Sequence, residues 1–150
     1  MAVNQATLEI RQPEFGSSDW AQAVALRRAV LRTPLGLDYS AADLAAERSD
    51  TLFAGYESGQ LVGVVMLRPV DARSGKLRQM AVADTMRMRG VGERLVAELE
   101  AHVRASGMTE IELASRVVAR GFYERLGYVA EGAMFIEVTV PHIHMRKRLR

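Results

Sequence analysis

The chain has 150 residues, of which 49% are hydrophobic and 25% are charged, and this composition excludes a wholly disordered protein. We expect a single domain spanning residues 1–150. The 20 Lys and Arg residues exceed the 18 Asp and Glu residues by two, and a net charge of only +2 is weak evidence for a nucleic-acid partner. The absence of cysteine excludes a disulfide framework, a thiolate metal site and a cysteine nucleophile.

The first third of the chain predicts a short strand followed by two helices. Alternating residues predict a strand from Thr7 to Arg11. A helix is predicted from Trp20 to about Arg32, with a cap among residues 17–19, and Ser40 is the expected cap of a second helix that ends near Arg48.

The period then changes to that of extended strands. Three antiparallel strands are predicted at Thr51–Tyr56, Leu61–Arg68 and Lys76–Val82, separated by a hairpin turn at residues 57–60 and a second turn at Ser74–Gly75.

Helices and strands alternate in the remainder of the chain. Apolar residues at four-residue steps predict a helix over Gly90–Ser106, and a strand follows at Thr109–Ala114. A further helix is predicted over Arg116–Leu126, with Val118, Phe122 and Leu126 on its buried stripe. The final strands are expected at Tyr128–Ala133 and Pro141–Leu149. The pattern predicts an α/β (α+β) fold with a mixed sheet and helices on its faces.

A turn rich in arginine and glycine joins the third hairpin strand to the longest predicted helix. It reads Arg87-Met88-Arg89-Gly90-Val91-Gly92. A helix N-terminus presents unpaired N–H groups, and glycine removes the Cβ atom that would block a phosphate oxygen. The turn therefore indicates a pyrophosphate site, although a helix that begins with glycine for packing would have the same sequence. It is neither a dinucleotide fingerprint nor a P-loop.

A second motif lies downstream and reads Phe122-Tyr123-Glu124-Arg125-Leu126-Gly127-Tyr128. With the Arg-x-x-Gly-x-Gly turn and this segment at their observed spacing, the chain resembles the GCN5-related N-acetyltransferase (GNAT) family, most specifically from about Lys76 to Met145. The resemblance implies the acyl-CoA N-acyltransferase fold, whose central twisted sheet is mostly antiparallel and has helices on both faces. It also implies acetyl-CoA as the cosubstrate, and we expect no metal ion.

The resemblance further implies which residues bind acetyl-CoA. The backbone of Met80, Ala81 and Val82 would pair with the pantetheine arm like an added strand. The pyrophosphate would be surrounded by Arg87, Met88, Arg89, Gly90, Val91, Gly92, Glu93 and Arg94. The family separates this strand from the strand beginning at Ile111, and the thioester would lie in the gap.

The catalytic residues are also implied by the resemblance. Tyr123 stands at the position of the family's usual general acid. A phenol suits this role, since it can protonate a departing thiolate. From its pattern alone it would equally be a half-buried aromatic residue with a solvated hydroxyl. Glu137 and His142 are the candidate bases, since Phe135 to Met145 resembles the Phe-x-Glu-x-x-Ile-Pro-His phrase of a subgroup. The alternative for His142 is a structural histidine, and Thr139 stands where that subgroup often has glycine.

These residues predict an enzyme that moves an acetyl group from acetyl-CoA to a primary amine by direct attack in a ternary complex. A non-catalytic acyl-CoA sensor or regulatory module stays open, as does a nucleic-acid binder that uses Arg146 to Arg150. We expect a small-molecule or peptide amine as the substrate, no nucleic-acid partner and no membrane partner, and we leave a homodimer open. No apolar run approaches the ~20 residues of a membrane span, so we expect a cytoplasmic protein.

Overall fold

A seven-stranded sheet forms the centre of the protein, as seen in a computed structural model that describes residues 8–150. Thr7, where the first strand was predicted to begin, lies outside the described residues. In chain order the strands are β1 (Leu8–Arg11), β2 (Thr51–Glu57), β3 (Gln60–Pro69), β4 (Ser74–Val82), β5 (Glu110–Arg116), β6 (Val129–Glu137) and β7 (Val140–Arg148).

The strands lie side by side in the order β1-β2-β3-β4-β5-β7-β6. Neighbours are antiparallel except for β4 and β5, which run parallel. The predicted mixed, mostly antiparallel sheet is therefore confirmed, including the three antiparallel strands in succession.

Helices cover both faces of this sheet. They are α1 (Ser18–Arg27), α2 (Ala41–Ala45), α3 (Val91–Ala105) and α4 (Arg120–Arg125). Ser17 caps α1 by accepting a hydrogen bond from the Trp20 N–H at 3.1 Å, and α1 continues as a wider helical turn over Arg28–Arg32. Ser40 caps α2 as predicted, through a reciprocal pair of bonds with Asp43.

Two apolar clusters attach these helices to opposite faces of the sheet. On one face α3 buries the predicted four-residue stripe of Val91, Leu95, Leu99 and Val103, and α4 packs beside it. On the other face α1 contributes Ala23 to a cluster with strand residues such as Leu52 and Met66. Within residues 8–150, no helix has both the length and the apolar character needed to cross a membrane.

Three predicted boundaries are wrong. The strand predicted to end at Ala133 continues to Glu137, because β6 pairs with β7 as far as Glu137 and Val140. Ser74 and Gly75 belong to β4, because the turn before them is formed by Asp71, whose Oδ1 accepts bonds from the N–H groups of Arg73 and Ser74 at 2.8 Å each. The helix predicted from Arg116 begins only at Arg120, because pairing with β7 extends β5 to Arg116 and a tight turn follows.

Val118 lies in that tight turn and is 94% exposed, so it does not join the predicted buried stripe. The 3.6-residue period of an α-helix does not apply to a turn with three residues per revolution.

Two of the four basic residues at the end of the chain, Arg146 and Lys147, are paired with acidic side chains. Arg146 lies in β7 and contacts Glu110 at 2.7 Å and Glu131 at 3.0 Å, and Lys147 contacts Glu100 at 3.0 Å. Part of the positive charge at the end of the chain is therefore neutralised by acidic side chains of the neighbouring strands and of α3.

Candidate active site

A cleft opens where β4 and β5 separate. The two strands pair only from Ser74 to Lys76 and from Glu110 to Glu112, and beyond these residues they diverge. The cleft has a volume of about 1130 Å³. It is lined by residues of the diverging strands, of α3 and α4, and of the segment that follows α1 on the other face of the sheet.

A β-bulge in β4 marks the point of divergence. Val64 of β3 pairs with Ala81 and Met66 pairs with Arg78, so Gln79 and Met80 both stand opposite Val65. Gln79 has a φ of 57°, which is rare for a residue with a side chain. The Tyr39 hydroxyl donates to Gln79 Oε1 at 2.7 Å and so attaches this bulge to the loop before α2. The sequence reasoning missed both residues, since no local pattern identifies them.

Beyond the bulge, one edge of β4 has no strand beside it. The Ala83 N–H donates to Val62 O at 2.9 Å, on the β3 side. Since backbone groups alternate in direction along a strand, those of Val82 and Met80 face the gap. This edge could accept an extended ligand as an added strand, which is the arrangement that the resemblance implies for the pantetheine arm.

The N-terminus of α3 borders the same cleft. Gly90 precedes the helix with a φ of 85°, and no side chain among the described residues caps this end. The first turn therefore leaves N–H groups of Val91, Gly92 and Glu93 without acceptors inside the helix. Arg87 and Met88 also line the cleft, and Met88 is 97% exposed with a φ of 62°.

Arg89 and Arg94, which the sequence also placed at the pyrophosphate, lie outside the lining of the cleft. Arg89 donates to Met86 Sδ at 3.3 Å, and Arg94 contacts Glu98 at 2.8 Å. Both side chains are held along the turn and the helix, so their approach to a ligand would require a change of partner.

Gly92 has a packing role that the sequence did not reveal. A Cβ at this position would lie 3.2 Å from Cζ and 3.4 Å from Cε1 of Phe122. The glycine therefore lets the aromatic ring of α4 approach the first turn of α3. By contrast, a Cβ at Gly90 would meet no described protein atom within 4 Å, so packing does not require this glycine, whereas its left-handed backbone favours it.

Tyr123 lies on α4 between two other aromatic rings and lines the cleft. Its ring meets Phe122 at a centroid distance of 5.0 Å and Tyr128 at 5.8 Å, both edge to face. The residue is 6% exposed, and burial raises the pKa of its hydroxyl above the ordinary value of 10.0. A phenol in this position keeps its proton at any physiological pH.

His142 and Glu137 meet at the hairpin between β6 and β7. The Nδ1 of His142 lies 2.8 Å from Val140 O, and its Nε2 lies 3.8 Å from Glu137 Oε2. A proton on Nδ1 would donate to the carbonyl and leave Nε2 as the acceptor. His142 stands opposite Arg116 of β5, and both His142 and Glu137 line the cleft. Thr139 adopts a φ of 67°, so it takes the left-handed turn conformation without being glycine.

The structure thus brings most of the sequence-predicted site residues to one cleft. The members that line it are Met80, Ala81, Val82, Arg87, Met88, Gly90, Val91, Gly92, Glu93, Tyr123, Glu137 and His142. Glu112 and Arg116 both lie on β5, near the point where it separates from β4. Arg116 lines the cleft, whereas Glu112 lies outside the lining and pairs with Arg146 at 3.4 Å.

Comparisons with known proteins identify the family of the chain. Residues 37–149 match the family described as the acetyltransferase (GNAT) domain. The uncharacterized protein YyaT of Bacillus subtilis strain 168 is 32% identical over 94 residues, and the match spans 63% of this chain and 63% of the length of YyaT.

Solved structures share the fold at low sequence identity. A candidate N-acetyltransferase from Lactobacillus plantarum superposes with a TM-score of 0.84 at 21% identity and covers 96% of this chain and 99% of that one. A GNAT family acetyltransferase from Elizabethkingia anophelis with acetyl-CoA bound has a TM-score of 0.74 at 13% identity, and the match covers 97% and 100% of the two chains.

Proposed function

The chain belongs to the GNAT acetyltransferase family, and on this basis we propose that it transfers an acetyl group from acetyl-CoA to a primary amine by direct attack within a ternary complex. The observation that carries the proposal is the gap between β4 and β5. The α3 N-terminus and Tyr123 line it from one face of the sheet, and Leu31 and Tyr39 line it from the other. Such a gap lets two substrates meet from opposite faces.

Acetyl-CoA fits the face that carries α3. The uncapped N–H groups of Val91 to Glu93 suit a pyrophosphate, and the free edge of Met80 to Val82 suits the amide groups of pantetheine. The related Elizabethkingia anophelis protein was crystallised with acetyl-CoA, which supports a CoA thioester as the donor.

Direct attack follows from the residues that are present. The chain has no cysteine, so no acetyl-cysteine intermediate can form. The amine nitrogen attacks the thioester carbonyl carbon, the new C–N bond forms, and the C–S bond breaks to release CoA. The proton lost by the amine passes to His142 Nε2, directly or through a water molecule positioned by Glu137.

Tyr123 donates a hydrogen bond to the departing sulfur and passes its proton to it as the C–S bond breaks, and the phenolate then takes up a proton from solvent. Burial keeps this phenol neutral, so the proton is available throughout the physiological pH range. The Tyr123 hydroxyl therefore donates a hydrogen bond to the sulfur as negative charge develops there.

The test is release of free thiol from acetyl-CoA in the presence of a panel of amines. We expect turnover with at least one primary amine and N-acetylated product by mass spectrometry. Tyr123→Phe should lower kcat and kcat/KM by about 10²–10⁴-fold, because the bond forms in the transition state, and should leave the Kd for CoA unchanged. His142→Gln should lower kcat/KM and alter its dependence on pH.

Tyr56→Phe is the matched control. The Tyr56 hydroxyl is buried on β2 without a hydrogen-bond partner among the described residues, so its loss should leave kcat unchanged. A protein that binds CoA but acetylates no amine would support the sensor alternative instead. Unchanged kcat in Tyr123→Phe, when chemistry limits the rate, would remove this residue from the mechanism.

A further inference from the structure

We infer that the amine substrate also carries a carboxylate, and that Arg32 and Arg116 bind this group at the end of the cleft near α1. The inference rests on the proposed acetyl transfer and adds the chemical class of the acceptor. It starts from two guanidinium groups that come from elements far apart in the chain and meet in the cleft.

Both guanidinium groups bond to one backbone oxygen. Arg116 Nη2 donates to Leu31 O at 2.8 Å, and Arg32 Nη1 donates to the same oxygen at 3.2 Å. Each guanidinium has five N–H donors, so a single shared carbonyl leaves most of them without an acceptor in residues 8–150. Arg32 also lies over the Tyr39 ring, with its Cζ 4.7 Å from the ring centroid. Both residues are half-buried and line the cleft.

The acidic residues near this end already have other partners. Asp38 contacts Arg28 at 2.6 Å, and Glu47 binds the buried Arg27 with both carboxylate oxygens. Asp50 accepts two bonds from Arg68.

Asp43 is the remaining acidic residue of the lining at this end, and it bonds to the N–H of Ser40 at 2.9 Å as part of the α2 cap. It lies near enough to Arg32 for that charge to lower its pKa slightly, but its largest interaction is with Ser40. In residues 8–150, neither Arg32 nor Arg116 is within 4.0 Å of a carboxylate.

Among the described residues, the two positive charges therefore lie close together and neither has a carboxylate in direct contact. Burial lowers the pKa of Arg116, and the nearby charge of Arg32 lowers it further, but Arg116 stays protonated because a guanidinium does not lose its proton in proteins. A third guanidinium, that of Arg78, also lines the cleft and shares Asp50 with Arg68. An anion placed between Arg32 and Arg116 would remove the repulsion and use their free donors.

A carboxylate suits this place better than a phosphate. Two guanidinium groups can each offer parallel N–H donors to the two oxygens of a carboxylate. A phosphate dianion would bring two negative charges toward Asp43 and Glu47, which line the same end of the cleft, whereas a carboxylate brings only one. The phosphates of CoA are accounted for at the α3 N-terminus, on the other face of the sheet. The acceptor is therefore an amine of the amino-acid class, including the free acid of a short peptide.

The experiment compares each standard L-amino acid with its own amide as acceptors for acetyl-CoA. The amide is the stricter control because its amine is less basic, so a larger fraction is neutral and ready to attack. We expect a kcat/KM at least about tenfold higher for the acid of the preferred pair. Arg32→Gln and Arg116→Gln should each raise the KM of that acid about 10- to 100-fold. The KM of the amide and the KM of acetyl-CoA should change much less, because neither ligand presents a carboxylate to these arginines.

Arg11→Gln is the matched control, because Arg11 is an exposed arginine on β1 outside the cleft, paired with Glu9 at 2.9 Å. Turnover that does not distinguish acids from amides would overturn the inference and leave the acetyl transfer standing. If no amine is acetylated, the transfer itself fails. The site is then tested by calorimetry of the same pairs on the CoA-saturated protein. If an acid binds to the protein and Arg116→Gln abolishes that binding, the carboxylate site is upheld. If the Kd of the acid equals the Kd of its amide in every pair, the inference is overturned.

Discussion

Gly92→Ala tests whether this glycine serves the packing of Phe122 or the approach of a ligand. Alanine is favoured over glycine in a helix by about 0.5–1 kcal/mol. Against this gain, the new Cβ would lie 3.2 Å from Phe122 Cζ, so the ring has to move by a few tenths of an ångström. Phe122 is half-buried and borders the cleft, so it can move toward the open space.

We therefore expect a small change in stability and a larger change in binding. The free energy of unfolding should change by no more than about 1 kcal/mol, which corresponds to about 2–4 °C in Tm. The displaced ring would narrow the cleft beside the first-turn amides, so the Kd for CoA should rise at least about tenfold. Arg87→Ala should raise it less, since Arg87 is an exposed side chain 3.2 Å from Asp84.

Gly90→Ala is the matched comparison, because its Cβ would meet nothing within 4 Å but its φ is 85°. A left-handed alanine costs about 1–2 kcal/mol, so its Tm should fall by about 2–8 °C. Scanning calorimetry gives the Tm values and titration calorimetry gives the Kd values.

Phe122→Leu in the Gly92→Ala background should restore CoA binding, because the smaller side chain relieves the contact. Two results would refute the reasoning. One is a loss of several kcal/mol in Gly92→Ala, which would mean that Phe122 cannot move. The other is an unchanged Kd, which would mean that the ring does not border the bound CoA.

Three further predictions concern buried groups near the cleft. Glu47→Gln should lower the free energy of unfolding by about 3–5 kcal/mol, because it leaves the fully buried Arg27 without its carboxylate partner; a loss below 1 kcal/mol in urea titration would contradict this. Tyr39→Phe removes the 2.7 Å bond to Gln79 and should cost about 0.5–1.5 kcal/mol by the same method, whereas no loss would mean that the bulge is held without it. Burial raises the pKa of Tyr123 above its ordinary value of 10.0, so the folded protein retains a proton that the unfolded chain releases. Stability should be complete below pH 10 and fall as the pH rises above it, and the fall should be shallower in Tyr123→Phe; equal slopes for the two proteins would count against a buried, neutral phenol.

The sequence by itself determined the parts of this protein that depend on short-range patterns. The four-residue spacing from Val91 to Val103 predicted the buried stripe of α3, because a helix repeats its facing every 3.6 residues. The change of period after the second helix and the turns between the runs predicted the three antiparallel strands, and the two motifs at Arg87–Gly92 and Phe122–Tyr128 indicated the family. Each of these signals lies within a short segment, so no knowledge of distant contacts was needed.

Only the tertiary structure decided which distant residues meet in the cleft. Phe122 explains Gly92, and Arg116 reaches the carbonyl of Leu31 across 85 positions of the chain. Tyr39 contacts the bulge at Gln79, whose left-handed backbone no propensity predicts. These contacts depend on strand register and on the divergence of β4 from β5, which arise from the packing of the whole sheet. A local pattern predicts whether a residue is buried. Which residue packs against it is decided only when the sheet and the helices assemble.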